Sequence, residues 1–383
     1  MKKGIVSLVA VSMLGTTGVA QANTTEKMSE IDHVSQFDRA DRWSENYQPG
    51  ITAKNQEQSV RSVETEANSE VLGSISSLFP DENLALVVAR EMGKSVENEV
   101  TKADLESITY LSGFNKQIQD IKGVENLTNL RHLSLSSNQI KDIGPLENLT
   151  NLDGLNLREN QIEDISPLKN LINLTGLGLE YNQIKDGSPL ASLTNLRSVS
   201  LHENQIKDIS FLKGLTNLTH LLLVGNQIKD GSPLENLTKI YQLELGENQI
   251  KDISFLKGLT NLALLGLEGN QIKDLSPLEN LTENFTVLRE LDISRNQISD
   301  LRPLKKVPRY QFKASGQHIE LGPGQVGVST TLPLYNVNGT VPNISIEGGN
   351  YQDESLIWDK AGANSFTWTG QNNFSGTVVQ TVK

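Results

Sequence analysis

Few residues in this chain are of types that carry out chemistry, and the histidines are the first to consider. The sequence has five of them, at positions 33, 132, 202, 220 and 318, and it has no cysteine. His202 and His220, with Glu203 beside them, are the residue types of a zinc site. In the repeat described below, the two histidines lie about four residues apart along neighbouring strands, roughly 13 Å, which is too far for shared ligation. The absence of cysteine excludes thiol catalysis, disulfide scaffolds and Cys-ligated metals.

Acidic residues offer two further kinds of chemistry. Asp186 and Asp230 are each followed by Gly and Ser, where other repeats have Ile or Leu in place of the Gly. This departure predicts either a looser turn or an oxygen-lined Ca²⁺ site. Glu244 and Glu268 resemble a glycosidase pair, but an open, shallow groove provides no pocket that excludes water. With no nucleophile elbow and no glycine-rich phosphate loop either, the chain is predicted not to be an enzyme and to need no cofactor beyond that candidate Ca²⁺.

The element that must position these residues is a repeat. The sequence Asn-Gln-Ile recurs with its Asn at 138, 160, 182, 204, 226, 248, 270 and 296, every 22 residues except for a last step of 26. The unit Leu-x-x-Leu-x-Leu-x-x-Asn-x-Ile is the leucine-rich-repeat signature, and a degenerate copy at Gln117-Ile118 makes about nine repeats. The predicted fold is an α/β solenoid, a curved leucine-rich-repeat array over residues 112–309 with a parallel β-sheet on its concave face.

The residues of one repeat predict its local structure. Leu133 and Leu135 alternate with polar residues, which predicts a short strand with one buried face. Asn138 ends that strand, and stacked copies of its amide are expected to form a ladder of hydrogen bonds to backbone groups in the turns. Pro145 begins a convex segment in which a tight 3₁₀ turn is expected rather than a full helix. Because one repeat cannot bury its own core, neighbouring repeats must stack.

The N-terminal 22 residues are predicted to be a secretion signal. Two lysines precede an apolar run over residues 5–19, which is shorter than a bilayer span, and small residues at 20 and 22 predict cleavage after Ala22. Residues 23–73 are polar without a sustained apolar period, which predicts disorder. No wall or membrane anchor is predicted at the other end. The protein is therefore expected to be secreted and extracellular, without membrane insertion.

Both ends of a solenoid need covers. Residues 74–111 predict a helical cap, with Asp81 as one N-cap and Thr101 followed by Asp104 before a second helix through Leu105, Ile108 and Leu111. Four extra residues near 283–286 predict a local insert. From residue 310 to 383, regularly spaced alternating runs predict a small β-sandwich. Its strands are expected around residues 319–321, 331–334, 344–346, 356–358, 366–368 and 374–379.

These features together resemble a known family. The cap residues Leu78-Phe79-Pro80-Asp81, the repeats Leu-Thr-Asn-Leu-x-x-Leu-x-Leu-x-x-Asn-Gln-Ile, and a tail containing Gly348-Gly349-Asn350-Tyr351 look like the internalins of Listeria over residues 74–383. The resemblance implies an EF-hand-like helical cap without calcium, the curved repeat array and an immunoglobulin-like domain. It also implies that the concave face binds host-cell proteins, a virulence function. The chain has neither the LPxTG sorting signal nor the Gly-Trp modules of many members, so it is similar to the small secreted internalins.

The concave face is the predicted binding surface. Counting back from each ladder Asn, the residues at −6, −4, −2 and −1 should face the groove or its rim. Leu222, Val224 and Leu264 are apolar where the pattern does not require it, which predicts an exposed contact patch among acidic residues. The partner is therefore predicted to be basic and apolar in character. The candidate partner-binding residues are Arg158, Glu180, Tyr181, His202, Glu203, His220, Leu222, Val224, Tyr241, Gln242, Glu244, Leu264, Glu268, Glu290, Asp292 and Arg295.

The charge balance narrows the classes of partner. With 34 Lys+Arg against 46 Asp+Glu, the formal net charge is −12, which argues against a nucleic-acid partner. Two hypotheses remain. In the first, a secreted monomer binds a host-cell protein through the groove, and altering the groove abolishes saturable binding. In the second, the array is a bacterial surface scaffold that associates with itself, and it forms concentration-dependent oligomers without host material.

Overall fold

The structure, a computed structural model, describes residues 70–279, 288–307 and 312–383. All of these residues belong to one compact unit, Arg61–Lys383. Four sequence predictions lie outside the described residues: the secretion signal, most of the polar segment 23–73, the insert near residues 283–286 and the boundary at residue 309.

The first described elements are two short strands and three helices. They are β1 (Val71–Ser74), α1 (Ile75–Leu78), α2 (Glu82–Glu91), β2 (Glu99–Thr101) and α3 (Lys102–Glu106), and β1 pairs antiparallel with β2. The Asp81 carboxylate accepts hydrogen bonds from two amides of the first turn of α2, and Thr101 and Asp104 form a reciprocal capping box on α3. Both predicted caps are confirmed, because each satisfies amides that a helix start leaves unpaired.

Helix α3, predicted to continue through Ile108 and Leu111, is shorter than the sequence predicted. It ends at Glu106, so Ile108 and Leu111 lie beyond it, and Leu111 belongs to the first strand of the large sheet. The helices nevertheless bury apolar side chains toward the array. A Cβ on Gly113, in the first repeat, would lie 3.4 Å from Val87 of α2, and a Cβ on Gly123 would lie 2.7 Å from Phe79.

A parallel sheet dominates the described chain. Consecutive strands pair in register, so that residues one repeat apart, such as Leu133 and Leu155, lie opposite each other. The sheet includes Tyr110 and extends to Lys313, which places its ends outside the predicted range 112–309. Within the described residues it has ten strands: β3 (Tyr110–Ser112), β4 (His132–Ser134), β5 (Gly154–Asn156), β6 (Gly176–Gly178), β7 (Ser198–Ser200), β8 (His220–Leu222), β9 (Gln242–Glu244), β10 (Leu264–Gly266), β11 (Glu290–Asp292) and β12 (Phe312–Lys313).

Short 3₁₀ segments form the side opposite the sheet, as the sequence predicted. An Asp before most of them accepts a hydrogen bond from the amide two residues later, as Asp142 does from Gly144 at 2.8 Å. The Leu and Ile positions of the repeat fill the space between the two sides and are almost fully buried. The segments are Val124–Asn126, Gly144–Leu146, Ser166–Asn170, Ser188–Ser192, Ser210–Gly214, Ser232–Leu234, Ser254–Gly258, Ser276–Leu278 and Arg302–Leu304.

The predicted asparagine ladder is confirmed. Asn204 Oδ1 accepts from the amide of Ile184 at 2.9 Å, and its Nδ2 donates to the carbonyls of Leu179 and Leu201 at 3.0 Å each. The same bonds recur from Asn138 to Asn296. At the end of the array Gln317 takes over, since its amide accepts from Ile298 and donates to Ile293.

A second row of asparagines, which the sequence analysis did not identify, ties the repeats together near the 3₁₀ side. Asn195 Nδ2 donates to the carbonyl of Ile172 at 2.8 Å, 23 residues earlier. The same bond runs from Asn217 to Thr194 and from Asn261 to Thr238. The recurring Leu-Thr-Asn-Leu therefore has a structural reason for its Asn.

The chain ends in two further sheets. One has the strand order β13–β19–β18–β15 and the other β14–β17–β16. The indole of Trp358 in the second sheet donates to Gln380 Oε1 of the first at 2.9 Å, and its ring lies 6.3 Å from that of Phe366. The strands are β13 (Gln317–Gly324), β14 (Thr330–Thr331), β15 (Asn343–Ile346), β16 (Gly349–Gln352), β17 (Ser355–Trp358), β18 (Gly362–Thr369) and β19 (Ser375–Val382).

Backbone and side-chain contacts connect the last repeat of the array to the C-terminal sheets. The amide of Leu301 donates to the carbonyl of Tyr335 at 3.0 Å, and the Arg302 guanidinium stacks 3.9 Å from the Tyr335 ring centre. The Tyr335 hydroxyl donates to Glu354 at 2.6 Å. Across the described part of the chain, no helix has both the length and the apolar character needed to cross a membrane.

The concave face as a candidate binding surface

The structure places the sixteen predicted binding residues on or beside the strands of one sheet. His220, Gln242 and Leu264 begin strands β8, β9 and β10, and their neighbours two residues later share the same face. The intervening Leu residues point to the core. Residues at −1, among them Tyr181, Glu203 and Arg295, form the rim in left-handed backbone conformations, with φ between 53° and 56°.

Tyr181 is the most exposed large apolar side chain among the predicted residues, at 39 %. Its ring meets the His202 imidazole edge-on with centres 5.2 Å apart, and the Arg158 guanidinium lies 5.5 Å from the ring centre. Burial, with a smaller contribution from Arg158, lowers the pKa of His202 to about 4. The imidazole is therefore neutral near pH 7 and supports the tyrosine as an aromatic surface.

The two groove histidines have separate neighbours. His220 lies against the Tyr241 ring, with centres 5.9 Å apart, and its Nδ1 is 2.9 Å from the Thr219 hydroxyl. His202 Nδ1 is instead 3.1 Å from the Ser200 hydroxyl. The described residues contain no group of three or more His, Asp or Glu side chains placed to hold a metal ion.

Glu244 and Glu268 lie close together in the C-terminal half of the face. A Cβ added to Gly266 would sit 1.9 Å from Glu244 Oε2 and 3.1 Å from Glu268 Oε2, so both carboxylates occupy the space above one glycine. Glu244 is only 8 % exposed. Burial, and then the charge of Glu268, raises the pKa of Glu244 to about 8, and burial raises that of Glu268 to about 7.

Other acids around the groove have basic neighbours. Lys313 Nζ lies 3.5 Å from a Glu290 oxygen and 3.8 Å from an Asp292 oxygen. Arg295 pairs with Glu247 on the rim. Within the described residues, no such ion pair reaches Glu244 or Glu268. These two carboxylates therefore differ from Glu290, Asp292 and Glu247, which each have a basic partner within 4 Å.

The predicted apolar patch is smaller than the sequence suggested. Leu222 is buried, with 8 % of its surface exposed, while Val224 and Leu264 are half-buried. Strands in register bring Ser200 and Glu244 directly beside Leu222, and side chains one strand spacing apart cover it. Glu180, predicted as a groove residue, is also buried, at 5 % exposure.

The sequence analysis missed Phe114, the most exposed large apolar residue of the face at 59 %. The first repeat has Lys116 where later repeats have the ladder Asn, so counting back from the ladder Asn does not reach its groove positions. The 22-residue spacing from Ser136 to Phe114 could have revealed it. The amides of Gly113 and Asn115 donate to the next strand, which extends the sheet pairing past β3.

The turns at Asp186 and Asp230 have a packing explanation. Each carboxylate accepts hydrogen bonds from the backbone and hydroxyl of the Ser two residues later. A Cβ on Gly187 would lie 2.2 Å from the Phe211 ring, and one on Gly231 would lie 2.1 Å from the Phe255 ring. The aromatic ring of the next repeat fills the space that Ile or Leu would take, so these turns are not loose. A structural Ca²⁺ there stays a prediction.

Comparisons with known proteins identify the family. A model of the N-terminal region of bacterial adhesion/invasion proteins, the internalin N-terminal model, matches residues 58–106. A leucine-rich-repeat model of two copies matches residues 128–170, 172–214, 216–258 and 260–306. Internalin C2 of Listeria monocytogenes is 44 % identical over 56 % of this chain and 96 % of its own, with a TM-score of 0.54. This chain belongs to the internalin family.

Two further structures are related more distantly to this internalin. Internalin F of Listeria monocytogenes is 34 % identical over 65 % of this chain and 86 % of its own, with a TM-score of 0.45. A leucine-rich-repeat protein of Leptospira interrogans, 24 % identical over 58 % and 57 % with a TM-score of 0.51, shares the fold. A comparison with curated proteins gave no significant match. The curved repeat solenoid is a fold suited to protein–protein binding, as in the internalins.

Proposed function

We propose that this internalin is a secreted bacterial binding protein that engages a host-cell protein through its concave face, in the manner of a virulence factor. Tyr181 carries the proposal. It is exposed on the rim, yet it is held by the edge-on His202 ring and by Arg158. Tyrosine and arginine are the residue types most often found at binding hot spots.

Pre-ordering makes Tyr181 more effective as an anchor. Immobilising a free side chain on binding costs about 0.5–1.5 kcal/mol, and a ring already held by two neighbours avoids part of that cost. The sheet beneath is rigid, because each strand is bonded to the next and each turn is held by the Asn ladder. The face therefore presents a fixed surface, with Tyr181 on its rim and carboxylates on its floor.

The remaining predictions complete this proposal. Residues 74–111 act as the helical cap and 310–383 as an immunoglobulin-like domain, with two sheets packed through Trp358 and Phe366 and anchored to the array at Tyr335. The secretion signal at residues 1–22 directs export, with cleavage after Ala22. The protein acts as a monomer without catalytic activity, and a candidate structural Ca²⁺ at Asp186 and Asp230 stays part of the proposal.

The test compares binding of the full exported chain with that of two variants on cultured mammalian cells. Tyr181→Ser removes the anchor, and Ile172→Ser removes a residue that is 54 % exposed beside a 3₁₀ segment, away from the sheet. We expect saturable binding that weakens about tenfold or more for Tyr181→Ser and stays unchanged for Ile172→Ser, since a hot-spot residue is worth more than about 1.4 kcal/mol.

Two controls make the result decisive. Thermal unfolding of both variants should match that of the parent chain, because both side chains are exposed. Sedimentation over a range of concentrations should show a monomer. Equal binding by both variants would refute the concave-face proposal. Oligomers that form without cells, together with an absence of saturable cell binding, would favour the self-associating scaffold.

A further inference from the structure

The concave face differs in chemistry between its two halves. In the N-terminal half the strands present small residues to the groove, and nothing lies within 4 Å of a Cβ built on Gly176. In the C-terminal half the corresponding positions include three acidic residues, Glu244, Glu290 and Asp292. The small floor residues are Ser134, Gly154, Gly176, Gly178, Ser198 and Ser200.

Two exposed aromatic residues border the half with small residues. Gly113 points into the core, since a Cβ there would lie 3.0 Å from Ile118 and from Leu135. Phe114, the next residue, therefore points outward, in the same row as Ser136 and Arg158 of the following repeats. With Tyr181 three repeats further on, the N-terminal half carries two aromatic contact points above a low floor.

The acidic half has at its centre a carboxylate pair that no ion pair among the described residues reaches. Lys313 neutralises part of the charge of Glu290 and Asp292, and Arg295 pairs with Glu247. Glu244 and Glu268 share the space above Gly266, and the positive charge of Arg295 partly lowers the pKa of Glu268 against the effect of burial. Burial of both carboxyl groups, and then the charge of Glu268 beside Glu244, hold a proton on the pair near neutral pH.

A cationic side chain is the ligand that such a pair favours. Lys or Arg placed above Gly266 would stabilise both ionised carboxylates and release the proton that the free pair holds. An anionic or purely apolar group would leave the desolvated pair without compensation. Charge complementarity therefore assigns the basic part of a partner to this half of the face.

Resting on the concave-face function proposed above, we infer that the groove is directional. The partner places aromatic or apolar side chains against Phe114 and Tyr181 and a Lys or Arg side chain against Glu244 and Glu268. Strands β3 and β10, which carry the two ends, are seven strand spacings apart, roughly 34 Å along the sheet. An extended segment of about ten residues spans that distance.

Four synthetic peptides of twelve residues test the inference with the full chain. The first has three aromatic or leucine residues at one end, three arginines at the other and a Gly-Ser linker between them. The second and third each replace one end with Ser, and the fourth replaces both. Affinities are measured for the parent chain, for Phe114→Ser with Tyr181→Ser, and for Glu244→Gln with Glu268→Gln.

The expected pattern is a pair of independent couplings, one between the basic end and Glu244 with Glu268, and one between the aromatic end and Phe114 with Tyr181. The basic end should improve affinity about tenfold on the parent chain and on the Phe114/Tyr181 variant, and should have no effect on the Glu244/Glu268 variant. The aromatic end should show the opposite dependence. Calorimetry in buffers of different ionisation enthalpy should detect proton release at pH 7 only for peptides that carry the basic end. The affinity gained from the basic end should grow from pH 6 to pH 8, because fewer protons then have to be released.

Three results would overturn the directional groove: no gain from the basic end on the parent chain, losses that do not depend on which half is altered, or no binding of any peptide at millimolar concentration. These outcomes are separable from failure of the proposed function. If cell binding still requires Tyr181 while the peptide couplings are absent, the concave face binds its partner without the directional charge contact. If the couplings are present and cell binding does not depend on Tyr181, only the proposed function fails.

Discussion

Substitution of one ladder asparagine gives the most detailed prediction about stability. In Asn204→Ala the carbonyls of Leu179 and Leu201 each lose one donor at 3.0 Å. They keep another, because the amides of Asn182 and Asn226 also donate to them. The amide of Ile184 loses its bond to Asn204 Oδ1 and has no solvent to replace it, since Ile184 is fully buried.

The magnitude follows from that difference. A buried donor left without a partner costs about 1–3 kcal/mol, and the net loss of the other bonds adds about 1 kcal/mol. We therefore expect Asn204→Ala to reduce the free energy of unfolding by about 3 kcal/mol. The matched control is Asn195→Ala in the outer row, which removes one exposed bond of 2.8 Å and should cost less than about 1 kcal/mol.

Urea unfolding followed by circular dichroism compares the two variants, and hydrogen exchange supplies a local readout. The Ile184 amide should exchange much faster in Asn204→Ala than in the parent chain or in Asn195→Ala. Equal destabilisation by the two substitutions, or an unchanged exchange rate at Ile184, would refute the reasoning that the ladder is held by its buried amide contacts.

Three further predictions concern packing, pH and the junction with the C-terminal sheets. Gly187→Ala should destabilise the array by about 1–3 kcal/mol in urea, because its Cβ would overlap the Phe211 ring; Gly187→Ile with Phe211→Pro, which restores the common repeat, should recover most of the loss. Glu244 has a folded pKa of about 8, above the ordinary 4.5, so stability should fall as pH rises between these values. The Tm of Glu244→Gln should therefore fall less with rising pH than the Tm of the parent chain. The same pH dependence of Tm in both proteins would contradict the raised pKa of Glu244. Arg302→Ala should speed hydrogen exchange at the Tyr335 amide without affecting strands β4 to β9, because it removes the stacking contact with Tyr335 and the ion pair with Asp300, both at the junction.

Much of the fold was predictable because each repeat carries two separate sequence signals for its structure. The alternation around Leu133 specifies a strand, and the 22-residue recurrence of Asn138 specifies where the next copy must stack. The convex 3₁₀ turns and the cap at Asp81 follow from local chemistry alone. The sequence pattern wrongly predicts Leu111 on a helix, because a 3.6-residue period and a strand period are difficult to separate over so few residues.

Exposure on the concave face was harder to predict. Sequence position places Leu222 in the correct row, but coverage depends on which side chains lie one strand away, and here Ser200 and Glu244 cover it. The same packing buries the carboxylate of Glu244 and produces its raised pKa. Phe114 could not be found from the ladder because its repeat has Lys116 in place of the Asn, and the amides of Lys116 and Ile118 donate instead to Asn138 Oδ1 of the next repeat.

The most direct test of the concave-face function is site-specific photo-crosslinking on living cells. A benzophenone amino acid replaces Glu203, exposed on the rim beside Tyr181, or Lys213, exposed in the 3₁₀ segment Ser210–Gly214 on the opposite side. We expect a crosslink from position 203 to one cell-surface protein, competed by unlabelled chain, and none from position 213. A crosslink from position 213 alone, or crosslinks only to a second copy of the chain, would contradict the proposed function.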